Sequence, residues 1–254
     1  MPTHLFFGPV VTGLPDPQTP CRKFLTIKST AHMPEHTIAF HASAHPDTCP
    51  SVLSQLYGLR KKVFADRLNW KVQVRNGHEF DHYDNADATY IVGCWNGQPL
   101  AGVRLINTLQ PYMVEGPFRA FFDVEPPKHP RLCESSRFFV DTERASALGL
   151  ATQPFTELLL LAMHNHAQAT GMKAVVTVVS AAMSRIVRRA GWHYEVLSQG
   201  QASPGERVLL LSMPVDEANR QRLLARIGTP AGLDLTVARF PASAPRRFIQ
   251  DLAS

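Results

Sequence analysis

The stretch that decides the fold is ATYIVGCWNGQPLAGVRLI, residues 88–106. Two mostly apolar runs flank Asn96 and Gly97, and an Asn-Gly pair between such runs is the strongest short signal for a tight β-hairpin. Arg104 is the one charged residue of the stretch. The sequence therefore predicts two antiparallel strands, with a cation where a sheet normally presents an apolar side chain.

Helix and strand signals alternate on both sides of this hairpin. Apolar residues recur at helical spacing in 51–66, and a short apolar run at 37–40 suits a first strand. Further strands are predicted at 132–140, 174–179, 192–197 and 207–213, and further helices at 154–170, 181–190 and 215–227. This order predicts a mixed α/β sheet covered by helices.

The two ends of the chain differ from its centre. Eight of the 20 prolines lie in the first 50 residues, so we expect 1–36 to be a loosely ordered extension. An alternative start at Met33 is a hypothesis that intact mass would test. We expect one domain over 37–227 and a C-terminal tail over 228–254.

Composition excludes several classes of protein. The 254 residues include four scattered cysteines and no CxxC pair, so no metal or redox site is predicted. His164 and His166 are two apart on a helix and point in different directions. The longest apolar stretch, 158–163, is far shorter than a membrane span, and no signal peptide is evident. We expect a cytoplasmic protein whose +5 charge attracts an acidic partner.

The strand LCESSRFFV, residues 132–140, carries charges that are costly inside a sheet unless they are paired. Strict alternation predicts Glu134, Ser136 and Phe138 on one face and Arg137 on the other, unless a bulge intervenes. Glu134 has two open interpretations. It forms a buried ion pair with Arg104, or it is a general base in an apolar setting.

A second polar cluster combines LRKKVFADRLNW, residues 59–70, with EFDHYD, residues 79–84. For Lys61 and Lys62 we expect a solvated helix face. Trp70 and the aspartates Asp81 and Asp84 are less easily explained as surface, and together they suit a cation beside an aromatic wall.

In these segments the chain resembles the LuxI-type acyl-homoserine-lactone synthases. The motifs RKKVFADRLNW, EFDHYD, GVRL and ESSRFFVD occur in the family's order with closely matching spacing, from about residue 38 to residue 214. The family's eight signature positions fall on Arg60, Phe64, Trp70, Asp81, Asp84, Arg104, Glu134 and Arg137.

The resemblance implies a single-domain three-layer αβα sandwich with a mixed sheet, similar to the GCN5-related N-acyltransferase fold. It also implies two substrates, S-adenosylmethionine (SAM) and an acyl-acyl-carrier-protein, and no cofactor. The acyl group passes to the SAM amine, and lactonisation then releases methylthioadenosine. The implied catalytic set is Glu134, Arg137 and Ser136, and the implied SAM-binding set is Arg60, Phe64, Trp70, Asp81, Asp84 and Arg104.

Two more sets follow from the resemblance. The acyl-chain pocket falls on Leu160, Met163, Thr177, Val179, Met183, Ile186 and Met213, with ordinary core as the alternative. With a threonine at position 177, the chain resembles those members of the family that favour 3-oxo-acyl chains. Carrier-protein docking is expected at Lys173, Arg185, Arg188, Arg189 and Arg207, with a plain solvated surface as the alternative.

Two rival functions remain open. An acyl-CoA-dependent N-acetyltransferase of the same fold would need a glycine-rich pyrophosphate loop, and 141–154 contains only Gly149. The basic pI of about 9.2 also suits a nucleic-acid-binding module, but the basic residues are dispersed and no nucleic-acid motif is present.

Overall fold

A computed structural model describes residues 38–203 and 205–228. The predictions for 1–36, for Met33 and for nearly all of the tail lie outside these residues. The strands described are β1 Ile38–Ala44, β2 Val74–Arg75, β3 His78–Glu79, β4 Ala88–Trp95, β5 Gln98–Asn107, β6 Leu132–Val140, β7 Ala174–Ser180, β8 Glu195–Ser203 and β9 Glu206–Pro214. The α-helices are α1 Pro50–Arg60, α2 Thr142–Ala147, α3 Phe155–Ala169, α4 Ala181–Arg189 and α5 Glu217–Ile227.

Seven of these strands form one sheet in the order β1-β4-β5-β6-β7-β9-β8. Only β6 and β7 run parallel among the described pairs, and the others are antiparallel. The predicted hairpin is β4–β5, turning at Asn96 and Gly97, which both have positive φ. The mixed α/β sheet is confirmed.

Each face of the sheet has its own apolar core. Ile91, Val103 and Leu105 pack with α3 on one face, which we call the α3 face. Tyr90 and Ile106 pack with α1 on the other, which we call the α1 face. Alternation along each strand supplies both cores, so helices cover a central sheet in three layers.

The sheet splits between β6 and β7. Their parallel pairing runs from Leu132–Ala174 to Ser135–Thr177 and stops there, although β6 continues to Val140 and β7 to Ser180. Beyond Ser135 the two strands have no backbone ladder between them. Residues 136–140 of β6 and 178–180 of β7 are therefore not paired with each other.

A bulge in β6 overturns the face assignment made from strict alternation. Arg104 pairs with Ser136 and Gly102 with Phe139, so Arg137 and Phe138 together oppose a single residue of β5. Arg137 has a left-handed φ of 57°. The extra residue resets the alternation, so Arg137 lies with Glu134 on the α1 face and Phe138 packs against the α3 face.

The helix predicted at 51–66 changes type partway. The α-helical part ends at Arg60, and a π-helical segment, Lys61–Arg67, follows it. Segments of this kind are rare and are frequently found at functional sites. Here the segment carries Phe64 into the core of the α1 face.

Candidate active site

The α1 face carries a closed ring of six charged side chains. Arg60 Nε donates to Glu79 Oε2 at 2.6 Å, and Arg60 NH1 donates to Asp84 Oδ1 at 2.7 Å. Arg104 NH1 lies 3.0 Å from that same Asp84 oxygen and 2.6 Å from Asp81 Oδ1.

Arg137 closes this ring. Its NH2 donates to Asp81 Oδ2 at 2.8 Å, and its Nε donates to Glu79 Oε1 at 3.0 Å. Each guanidinium therefore lies between two carboxylates, and three positive charges balance three negative ones. Such complete pairing is what makes charges tolerable at this depth.

Glu79 is the member of the ring to which sequence reasoning gave no role. It was part of the quoted acidic segment, and its side chain is fully buried between Arg60 and Arg137. Its only sequence signal is its place in the acidic segment, two residues before Asp81, and this alone does not mark a buried carboxylate.

Burial and hydrogen bonding set the electrostatics of the ring. Burial alone would raise the pKa of Asp84, but Arg60 and Arg104 outweigh it and hold that pKa well below its ordinary value. Tyr90 adds a hydrogen bond from its hydroxyl to Asp84 Oδ1 at 2.8 Å. Asp84 is therefore an ionised anchor of the ring.

Only one side of the ring reaches solvent. The side chains of Arg60, Arg104, Glu79 and Asp84 are at most 1% exposed, whereas those of Arg137 and Asp81 are 11% and 13% exposed. Arg137 NH1 has the Met113 sulfur, 3.6 Å away, as its acceptor. A thioether is a weak acceptor, so this nitrogen retains donor capacity toward a substrate.

An aromatic wall stands beside this open side. The rings of Phe64 and Trp70 stack with centroids 5.1 Å apart and planes 14° from parallel. Arg137 lies over the Phe64 ring at 5.8 Å. Trp70 is 49% exposed although Phe64 is buried, so an indole face is available beside a cationic group.

Glu134 lies apart from the ring and makes no ion pair with Arg104, so that interpretation was wrong. Its two carboxylate oxygens accept the backbone N–H groups of Met113 and Val114, each at 3.1 Å. Burial raises the pKa of Glu134 to about 7, against the lowering effect of those two hydrogen bonds and of Arg104 and Arg137. Such a carboxylate accepts and returns a proton near neutral pH.

The α3 face carries most of the predicted acyl-pocket residues. Leu160, Met163 and Met213 are buried in its core, and Val179 and Met183 pack against them. Ile186 is 42% exposed and does not join this cluster. Thr177 lies at the split, where its hydroxyl donates to the Ser135 carbonyl at 3.0 Å.

Comparison with known proteins identifies the family. The sequence model described as "Autoinducer synthase" matches residues 47–223. An acyl-homoserine-lactone synthase of Pseudomonas amygdali pv. tabaci is 55% identical over 202 residues, which are 80% of this chain and 89% of that protein. The chain belongs to the autoinducer synthase family. It is therefore an acyltransferase of the acyl-homoserine-lactone synthase class.

Solved structures show the same fold as this synthase. The acyl-homoserine-lactone synthase LasI aligns with a TM-score of 0.66 at 23% identity, covering 76% of this chain and 97% of that one. BjaI, a CoA-dependent acyl-homoserine-lactone synthase solved with SAM and isopentyl-CoA, aligns with a TM-score of 0.67 at 23% identity, covering 78% and 92%. The predicted fold class is confirmed.

The basic residues predicted for docking lie away from the ring of the synthase. Lys173, Arg185, Arg188, Arg189 and Arg207 are all exposed. Arg188 lies over the Tyr194 ring at 4.4 Å, and Arg207 hydrogen-bonds Gln199. Lys173 directly precedes β7, and Arg185, Arg188 and Arg189 lie on α4, which directly follows β7. These residues remain candidates for binding an acidic partner protein.

Among residues 38–203 and 205–228 of the synthase, no group of three or more His, Cys, Asp or Glu side chains could hold a metal ion. His164 instead bonds the Asp216 carbonyl through Nε2 at 3.0 Å. No helix in the same residues is long and apolar enough to cross a membrane.

Proposed function

We propose that this synthase joins an acyl thioester to the α-amine of SAM and then closes the lactone ring. In the first step the amine nitrogen bonds to the acyl carbon and the amine proton passes to Glu134. The thioester C–S bond breaks, and its electron pair leaves with the sulfur of the donor as a thiolate, which takes up the proton from Glu134 and departs as the free thiol. In the second step the SAM carboxylate attacks the carbon next to the sulfonium. That C–S bond breaks, and its electron pair neutralises the sulfur of the departing methylthioadenosine. Neither step needs a cofactor.

The observation that carries the proposal is the distribution of chemistry across the split sheet. The charged ring, the aromatic wall and Glu134 are on the α1 face, and the predicted acyl pocket is on the α3 face. The β6–β7 ladder ends at the Ser135–Thr177 pair, and we infer that the acyl chain passes between the two faces beyond this pair. A thioester entering this gap would place its acyl chain on one side and its carbonyl near Glu134.

SAM fits the open side of the ring. A sulfonium is cationic and an adenine is flat, and both favour the exposed face of Trp70. The spare donors of Arg137 suit the SAM carboxylate. Arg60, Arg104 and Asp84 are too deeply buried to meet substrate, so we assign them to holding Arg137 and Asp81 in place.

Glu134 suits the role of base because of its pKa and its fixed orientation. A base with a pKa of about 7 is half ionised at neutral pH. The Met113 and Val114 N–H groups hold both carboxylate oxygens. We infer that proton transfer uses a remaining lone pair of Glu134, directly or through one water. The Ser136 hydroxyl accepts a hydrogen bond from Arg104 Nε at 3.1 Å. We therefore assign Ser136 to holding β6 beside Arg104.

For the acyl donor we favour an acyl-carrier-protein over acyl-CoA. The exposed basic residues suit an acidic protein. Helix α3, which together with α2 connects β6 to β7, begins with Pro154 as its N-cap and has Glu157 in its first turn. A carboxylate at that end disfavours a pyrophosphate. Acyl-CoA is the second candidate, because BjaI is a CoA-dependent synthase. Both kinds of donor are cytoplasmic, and we place the reaction there.

A 3-oxo preference is the finer part of the proposal. The Thr177 hydroxyl is at the split, where the third carbon of an entering chain would pass. Because its proton is already donated to the Ser135 carbonyl, the hydroxyl would have to rotate to bond a 3-oxo group.

Purified full-length enzyme with SAM tests the proposal. Matched acyl-carrier-proteins and acyl-CoAs bearing the same acyl chains are compared, and lactone and methylthioadenosine are measured by mass spectrometry. We expect both products in equal amounts, with higher kcat/KM for the carrier protein. Equal or better use of acyl-CoA would overturn the donor assignment, and absence of lactone with every donor would overturn the reaction.

The Glu134→Gln variant tests the base, with Glu125→Gln as the surface control, because the Glu125 side chain is 90% exposed. Loss of a general base lowers turnover by about 10²–10⁴-fold. Gln keeps one carbonyl oxygen for Met113 or Val114, so thermal unfolding is measured alongside to show that the loop survives. Near-normal turnover in a stable Glu134→Gln protein would remove Glu134 from this role.

A further inference from the structure

The π-helical segment is tied at two points to the junction between β6 and α2. Lys62 Nζ lies 3.1 Å from both carboxylate oxygens of Asp141 and 3.2 Å from Glu143 Oε2. Arg67 NH1 donates to Thr142 Oγ1 at 3.0 Å, and its NH2 donates to the Val140 carbonyl at 3.5 Å. The two ties lie five residues apart on the segment.

We call these two contacts of Lys62 and Arg67 the clamp. Asp141, the main partner of Lys62 in the clamp, is held firmly by other contacts. The Asp141 side chain is only 1% exposed. It caps α2 by accepting the Arg144 N–H at 3.1 Å, and the Asp141 N–H donates to the Leu100 carbonyl at 2.8 Å. Lys62 therefore binds a carboxylate that the sheet already fixes, so the tie constrains the segment and leaves Asp141 where it is.

Phe64 lies between the two ties. Its ring stacks on Trp70, meets Phe139 edge-on at 6.1 Å and faces Arg137 at 5.8 Å. The backbone N–H of Trp70 also donates to the backbone carbonyl of Phe64 at 2.8 Å. Any shift of the segment along β6 would move both rings relative to Arg137.

We propose that Lys62 and Arg67 are positioning residues for SAM, acting by holding the Phe64–Trp70 wall over Arg137. This inference rests on the proposed function, in which that wall contacts SAM. It replaces the solvated face expected for Lys62. Lys61, in contrast, pairs with Asp66 inside the segment at 2.7 Å and touches neither β6 nor α2. Lys61 is therefore the matched control.

The test combines a spectroscopic and a kinetic measurement on the full chain. The chain has three tryptophans, so 5-fluorotryptophan labelling gives three ¹⁹F resonances, and Trp70→Phe identifies that of Trp70. Lys62→Met removes a partly exposed charge pair, and Arg67→Met removes two hydrogen bonds. In both variants we expect the Trp70 resonance to move and KM for SAM to rise about fivefold. We expect kcat to change less than about twofold. Lys61→Met should match wild type, and Lys62→Arg should restore both readings.

The outcomes separate the clamp from the proposed function. An unmoved Trp70 resonance together with an unchanged KM in both variants would overturn the inference, as would an equal effect of Lys61→Met. A moved resonance with an unchanged KM would support the clamp, but it would show that the wall does not contact SAM.

Discussion

Replacing Glu79 by Gln tests the closed ring most directly. Glu79 has a fully buried side chain, and it gives one oxygen to Arg60 Nε at 2.6 Å and the other to Arg137 Nε at 3.0 Å. Gln is nearly the same size but carries no charge, and its NH2 group points a donor at one of the two guanidinium groups. The ring would then hold three positive charges against two negative ones.

The expected loss follows from this burial. Removing one partner of a buried ion pair costs about 3–5 kcal/mol, because the remaining charge stays buried without compensation. Gln still accepts one hydrogen bond, so we expect about 3 kcal/mol. For a domain of this size that lowers the melting temperature by about 6–12 °C. Because Arg137 loses its Nε partner, kcat/KM for SAM should also fall by at least about tenfold.

Differential scanning calorimetry and steady-state kinetics measure the two effects. Glu125→Gln is the control, since Glu125 is 90% exposed and pairs with Arg119 at the surface. Such pairs contribute about 0–1 kcal/mol, so its melting temperature and kinetics should stay close to wild type. If Glu79→Gln melts within about 2 °C of wild type with normal kinetics, the ring does not hold Arg137 and the reasoning fails.

Three further predictions concern the chemistry. Glu134 has a pKa of about 7, and its deprotonated form is the active base. The logarithm of kcat/KM should therefore rise with a slope of one below about pH 7 and level off above it. A flat pH profile in the wild-type enzyme would contradict this prediction. Thr177→Val, which keeps the shape but removes the hydroxyl at Ser135, should lower the share of 3-oxo product, and mass spectrometry showing an unchanged profile would refute the 3-oxo proposal. Arg188→Glu and Arg189→Glu should raise KM for acyl-carrier-protein several-fold, more at low salt than at high salt; an equal rise with acyl-CoA would rule out docking.

Sequence motifs predicted most residues of the candidate active site. Five of the six ring members were found from their spacing and family positions, and the structure brings them together. Glu79 was missed because a carboxylate two residues before Asp81 in a polar segment has no distinguishing pattern. Its burial depends on β3 packing against α1, which the sequence does not display.

Local backbone geometry explains the largest errors. Alternation fails at Arg137 because a bulge inserts one residue opposite Val103, and a left-handed φ at a non-glycine residue has no reliable sequence signal. Lys62 was expected in solvent because helix spacing placed it on a polar face. The π-helical turns and the distant Asp141 gave it a partner instead.

The sequence by itself determined the class of fold, the hairpin, the family and nearly all of the polar residues that matter. Periodicity and turn chemistry are local properties, and motif spacing survives without knowledge of contacts. Tertiary structure alone decided that the arginines and carboxylates form a closed ring, that Glu134 is held by Met113 and Val114, and that the sheet splits after Ser135. These features depend on contacts between residues that are far apart in the sequence. Packing, burial and strand register determine such contacts, and the local sequence pattern does not.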